Sequence, residues 1–163
     1  MYKPKAFIPQ LFLGLGFICL LMLSSAGTAP AETGEKGADM SSYQAQLGEY
    51  DAIIQTMDKY IEGGRQGSGK VMSEAFHAGA NIYAFSHGEV VGGPIQLLYD
   101  LVDSKAPAGT IEYSIASIEL ETDIAMVRLE IPDWNGAHYT DMFTLLKTES
   151  GEWKIISKVS HIH

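Results

Sequence analysis

Asp141 and His161 sit among apolar side chains near the end of the chain, in a stretch that reads as two strands joined by a tight turn. A carboxylate beside an imidazole is the raw material of acid–base chemistry. An aspartate on the packed side of a strand is costly unless something pairs with it or uses it. Asp141 as general base with His161 as partner would suit proton abstraction next to a carbonyl, with Tyr139 orienting a substrate oxygen. Tyr99, Tyr113, Phe143 and Trp153 supply aromatic walls for a ligand, and His77 is a second imidazole that can face a pocket mouth. Each has a plainer reading. Asp141 can be a structural acceptor tying sheet to helix, the aromatics can be core, and His77 can cap the helix carbonyls before it.

Other reactive side chains carry less. His87 falls in a turn, and His138 and His163 fall at strand ends, so no three imidazoles converge and no metal site is expected. Gly64-Arg-Gln-Gly-Ser-Gly-Lys70-Val71 approaches a phosphate-binding loop but has Val71 where magnesium needs a hydroxyl, and it follows a helix rather than a strand. Tyr50-Asp51 places a Tyr/Asp pair on the first helix, with Asp51 at the surface. No cofactor is implied.

The elements that must position these groups follow from periodicity. Leu47, Tyr50, Ile54, Met57 and Ile61, widened by Ile53 and Tyr60, predict an amphipathic helix over Tyr43 to Glu62, closed by Gly63-Gly64. A short helix is expected over Lys70 to Phe76, then a small hairpin, Asn81 to Phe85 and Glu89 to Val91, turning at Ser86-His87-Gly88. Pro94 starts a third helix with Ile95, Leu98, Tyr99 and Val102 inward. From Thr110 the period changes to two, with Asn135-Gly136 a type I′ hairpin signal and Glu149-Ser150-Gly151 a three-residue loop. Helices first and antiparallel strands later make an α+β domain.

Register then places the candidates. With Thr148 opposite Glu152, Lys147 faces Trp153, Leu145 faces Ile155, Phe143 faces Ser157, Asp141 faces Val159 and Tyr139 faces His161. Alternation puts Tyr139, Asp141, Phe143, Trp153, Val159 and His161 on the core face, and Lys154, Lys158 and Ser160 on the wetter face with Met142, Leu146, Ile156 and Ile162. A half-apolar outer face of that kind suits a homodimer. A slip of one residue would reverse every assignment. A two-residue Asn135-Gly136 turn would bring Arg128 and Glu130 beside Asp141, and a bulge near Pro132 would restore Leu129 and Ile131.

Residues 1–31 read as a signal peptide: Lys3 and Lys5, the uncharged run Leu11 to Leu23, then Ala29-Pro30-Ala31. The run is short for a membrane span of about 20 residues. Residues 32–42 read as a flexible leader and 43–163 as one domain, in a periplasmic or secreted protein with no stable membrane association after cleavage. The sole cysteine, Cys19, lies in the signal, so the remainder forms no disulfide. Losing Lys3 and Lys5 lowers the basic count from 11 to 9 against 20 acidic residues, moving the formal charge from −9 to about −11. Such a charge repels phosphate backbones, so nucleic acid is not an expected partner.

Tyr139-Thr-Asp-Met-Phe-Thr-Leu-Leu-Lys followed by Gly151-Glu-Trp-Lys-Ile-Ile-Ser-Lys-Val resembles the nuclear transport factor 2-like superfamily, in particular its bacterial branch described as putative lumazine-binding. Ile54-Gln-Thr-Met-Asp-Lys-Tyr-Ile-Glu-Gly and Ala75-Phe-His-Ala-Gly-Ala are similar too. The resemblance implies a cone of about six strands wrapped on three helices, a small molecule held at the open end and a dimer. It leaves activity open, since isomerases, dehydratases, cyclases and non-enzymes share the scaffold.

Overall fold

The computed structural model describes residues 35–163. The signal-peptide reading of residues 1–31 lies outside the described residues. Helix α1 (Glu35–Gln66) is followed by α2 (Gly69–Met72), a 3₁₀ turn over Ser73–Ala75, β1 (Phe76–Ser86), β2 (Glu89–Pro94) and α3 (Gln96–Asp103). Four long strands complete the chain: β3 (Ser114–Glu121), β4 (Ile124–Trp134), β5 (Ala137–Lys147) and β6 (Trp153–Ile162). The six strands form one curved sheet in the order β2-β1-β6-β5-β4-β3. It is mixed rather than wholly antiparallel, because β1 lies parallel to β6 while every other neighbour is antiparallel. No helix among the described residues is long and apolar enough to cross a membrane.

Helix α1 begins eight residues ahead of Tyr43, so much of the expected leader is helical. Its buried stripe is Ile53, Thr56, Met57, Tyr60 and Ile61, all in the second half of the helix, while Leu47 is 45% exposed. Gly63-Gly64 does not end it. A Cβ on Gly63 would overlap Met72, and one on Gly64 the Trp134 ring, so these glycines serve close approach. The stop comes at Gly67, with φ of 62°, where Ser68 N–H bonds to the Gly63 carbonyl at 2.9 Å and Gly67 N–H to that of Gly64 at 3.1 Å. This is a Schellman cap, and it places the phosphate-loop lookalike in a helix end and link.

The hairpin signals hold. Asn135 and Gly136 both take positive φ, as does Gly151. Strand β4 meets β5 with Leu129 opposite Asp141 and Ile131 opposite Tyr139, and the register shifts before Trp134 pairs Ala137, which is the irregularity expected near Pro132. The last hairpin departs from expectation. Lys147–Trp153 and Leu145–Ile155 pair as reasoned, but Thr144 pairs Ser157, so one extra residue enters β6 at Ile156. Beyond that bulge Phe143 faces Lys158, Asp141 faces Ser160 and Tyr139 faces Ile162. The bulge changes the parity of the strand. Trp153 and Ile155 are buried before it, Lys158 and Ser160 after it.

Candidate functional site

The parity change replaces the expected Asp141–His161 pair with a buried polar cluster. His161 and Val159 turn outward and are exposed, whereas Lys158 is 3% and Ser160 4% exposed. Asp141, fully buried on β5, accepts from Lys158 Nζ at 2.8 Å and Ser160 Oγ at 2.6 Å through Oδ1, and from Tyr60 Oη at 2.8 Å through Oδ2. Lys158 also donates to Ser160 Oγ. No buried side-chain polar atom among the described residues lacks a partner. A buried charge pair persists where geometry is good and remaining lone pairs are satisfied, and this one meets both conditions.

Tyr60 comes from α1, across the interior from the strands. Its ring packs edge-on against Phe76, Trp134 and Phe143 at 5.1–6.0 Å between centroids. Burial, then the neighbouring Asp141 charge, push its hydroxyl well above the ordinary tyrosine value, so it stays a hydrogen-bond donor. The Lys158 ammonium lies 5.7 Å from the Tyr60 ring centroid and 5.9 Å from that of Phe143, within cation–π range. An ammonium has three donors, and Asp141 and Ser160 take two.

Lys158 also lines a cavity of about 270 Å³. Its floor is Tyr60, Lys158 and Ser160, and its walls are Ile82, Ala84, Leu98, Leu101, Val102, Trp134, Tyr139 and Ile162, with Lys105 and Asn135 from two loops. Asp141 stands behind the floor and is not part of the lining. Among the lining residues there is no carboxylate and no imidazole. The cavity thus presents two amines, one of them the buried Lys158, three hydroxyls, the Asn135 amide and an apolar wall.

Of the remaining candidates, only Tyr139 joins the lining. Tyr139 lines the cavity, its hydroxyl raised by burial and then by Asp141. Phe143 is core beneath Lys158. Trp153 is buried and donates from Nε1 to Glu49 at 2.8 Å, away from the cavity lining. Tyr113 is outside the lining and bonds to Asp58, and burial pushes its hydroxyl to about 12. Tyr99 packs edge-on to Phe76, its hydroxyl pushed by burial to about 12. His77 is exposed in β1 and accepts from Gly79 N–H at 3.0 Å, so it neither caps a helix nor enters the cavity. His161 stacks on Phe85 outside the cone. Ile162, expected outside, lines the cavity. His138 and His163 stack at 4.1 Å, yet no cluster among the described residues is arranged to hold a metal.

Sequence reasoning missed Lys158, Ser160 and Tyr60. Two local signals were present: the adjacent Ile155-Ile156, which breaks strict alternation, and Ile162, which is in phase with Lys158 and Ser160.

Residues 48–161 match the family described as putative lumazine-binding. An aldolase, FrzH, from a Cladobotryum species is 34% identical over 117 residues, covering 69% of this chain and 90% of that protein. A nuclear transport factor 2-like protein of unknown function from Shewanella baltica is 36% identical, with 72% of this chain and 95% of that one covered and a TM-score of 0.68. A ketosteroid isomerase-like protein from Erwinia carotovora, 15% identical over 69% of this chain and 94% of its own, has a TM-score of 0.55 and shares the fold. The chain belongs to the putative lumazine-binding family of nuclear transport factor 2-like proteins.

Proposed function

We propose that this family member binds a small, partly apolar carbonyl compound in the cavity and makes or breaks a carbon–carbon bond next to the carbonyl. The observation that carries the reading is the pair Lys158 and Ser160 in a cavity with mostly apolar walls, held by a carboxylate that is itself outside the lining. A carbonyl oxygen accepts the remaining Lys158 donor, and it accepts more strongly as negative charge develops on it. At about 270 Å³ the space is just below the ~300–1,000 Å³ usual for ligand pockets, which favours a small ligand. The name of the 34% identical relative, an aldolase, supports carbon–carbon chemistry at this site.

The isomerase, dehydratase or cyclase alternative with Asp141 as base finds no support in the geometry, since neither Asp141, His161 nor His77 faces the cavity. One observation favours binding without turnover. Three donors occupy Asp141, so no free carboxylate base stands at the floor. Export to the periplasm or outside the cell belongs to the same proposal and rests on the N-terminal sequence. A homodimer through the outer sheet face is supported by Met126, Met142, Val159 and Tyr83, all 44–53% exposed on the adjacent strands β4, β5, β6 and β1.

The test is a titration of the full chain carrying Trp153→Phe with small aldehydes and ketones, reading Trp134 fluorescence, followed by aldol and retro-aldol assays of those that bind. Saturable quenching by carbonyl compounds, and not by the matching alcohols, is expected. Equal response to both, or none, overturns the carbonyl reading.

A further inference from the structure

We infer that Lys158 is a covalent catalytic residue whose amine condenses with an aldehyde or ketone in the cavity to form an iminium ion. The inference rests on the carbonyl-ligand reading above and deepens it. Labilising a bond next to a carbonyl requires either a base facing the substrate or an electron sink attached to it. The lining contains no carboxylate and no imidazole, and its tyrosines stay protonated where burial raises them. Lys105 lies in the loop after α3 and is exposed. Lys158 is the one lining amine that is buried and has a proton acceptor, Asp141, within 2.8 Å.

The atoms balance within the cluster. Lys158 passes a proton to Asp141, and the freed lone pair adds to the carbonyl carbon as the π pair moves to oxygen. That oxygen takes two protons in turn, both originating on the Lys158 ammonium and relayed by Asp141 through Ser160, which bonds to the carboxylate and lines the cavity. Water leaves, and the products are an iminium on Lys158 and Asp141 as carboxylate again. Net, ammonium plus carbonyl gives iminium plus water, with charge conserved. The iminium withdraws electrons from the neighbouring carbon–carbon bond without any free carboxylate base. The β6 bulge has a function on this account: it re-aims one lysine from water to the cavity floor.

The test uses benzaldehyde and cyclohexanone as probes with cyanoborohydride, which reduces an iminium to a stable secondary amine. Intact mass and peptide mapping then locate the adduct. Preferential labelling of Lys158 is expected, about tenfold or more above exposed Lys59 and Lys70, because a cavity-held carbonyl reacts at high effective concentration. Lys158→Met alone strands Asp141, so the control is the paired change Asp141→Asn with Lys158→Met, which should lose that label and keep surface labelling. Labelling confined to exposed lysines, unchanged in the paired variant, while Trp134 still responds to the probes, overturns the covalent role and leaves the pocket standing. Absence of any Trp134 response removes both.

Discussion

Asp141→Ala removes the acceptor shared by Lys158, Tyr60 and Ser160, and it strands an ammonium whose side chain is 4% exposed. Breaking a buried pair by deleting one partner costs about 3–5 kcal/mol. The Tyr60 and Ser160 bonds to the carboxylate would each add about 1.5–3 kcal/mol if independent. They belong to one cluster and are not additive, so the expected loss is about 4–5 kcal/mol in all. With a urea m-value of about 2 kcal/mol/M the midpoint falls by roughly 2 M. Lys158→Met should lose less, about 3 kcal/mol, because Tyr60 and Ser160 still bond to Asp141. The paired change Asp141→Asn with Lys158→Met removes both charges and keeps an acceptor, and it should return to within about 1 kcal/mol of wild type. Urea denaturation followed by circular dichroism at neutral pH measures these proteins, and Asp141→Asn alone, measured with them, closes the cycle with Lys158→Met and yields the coupling. If Asp141→Ala shifts the midpoint by less than about 0.5 M, or if Asp141→Asn and Lys158→Met add without coupling in the paired variant, the buried cluster is not what holds β5, β6 and α1 together.

Other expectations follow from the same structure. Tyr60→Phe deletes one hydroxyl and keeps the edge-on ring contacts, so a loss of about 1.5–3 kcal/mol in the same denaturation assay is expected, against none if the bond to Asp141 is idle. Gly64→Ala pushes a methyl into the Trp134 ring, and overpacking of about 1–3 kcal/mol should appear with a shifted Trp134 emission and weaker probe quenching. Glu49 is held below the ordinary carboxylate range by its hydrogen bonds to Lys147 and then Trp153. Its folded value is depressed, so its contribution is full above about pH 4.5 and is lost as the pH falls through the folded value. Glu49→Gln should therefore flatten the acid limb of a stability–pH profile and leave the neutral region's slope unchanged. Val159→Lys with Met142→Lys places two charges on the outer face, and a dimer through that face should dissociate to monomer in sedimentation velocity.

Much was legible in the order of residues because it is written locally. The helix stripe of Ile53, Met57, Tyr60 and Ile61 follows from a period near 3.6, and the turns at Asn135-Gly136 and Gly151 from the need for positive φ. The irregularity near Pro132 followed from the conflict between a two-residue turn and an apolar inner face, and the fold itself from the motif pattern of the closing hairpin. Asp141 stood out as a carboxylate in phase with core residues, and it is buried. What surrounds it was decided only in three dimensions. The β6 bulge lies where that strand pairs antiparallel with β5 on one side and parallel with β1 on the other, and β1 skips from Phe76 to Asn81 across the same point. Neither constraint can be read from β6 alone: Ile155-Ile156 interrupts the alternation, but a continuous strand with Ile156 on the outer face accounts for it without a bulge. One inserted residue exchanges His161 for Lys158 and Ser160 at the floor, and α1 delivers Tyr60 to Asp141 from 81 residues away in the chain. The sequence by itself determined the elements and one buried charge. The tertiary structure decided its partner, because the face of a strand depends on register, and register is a property of neighbouring strands.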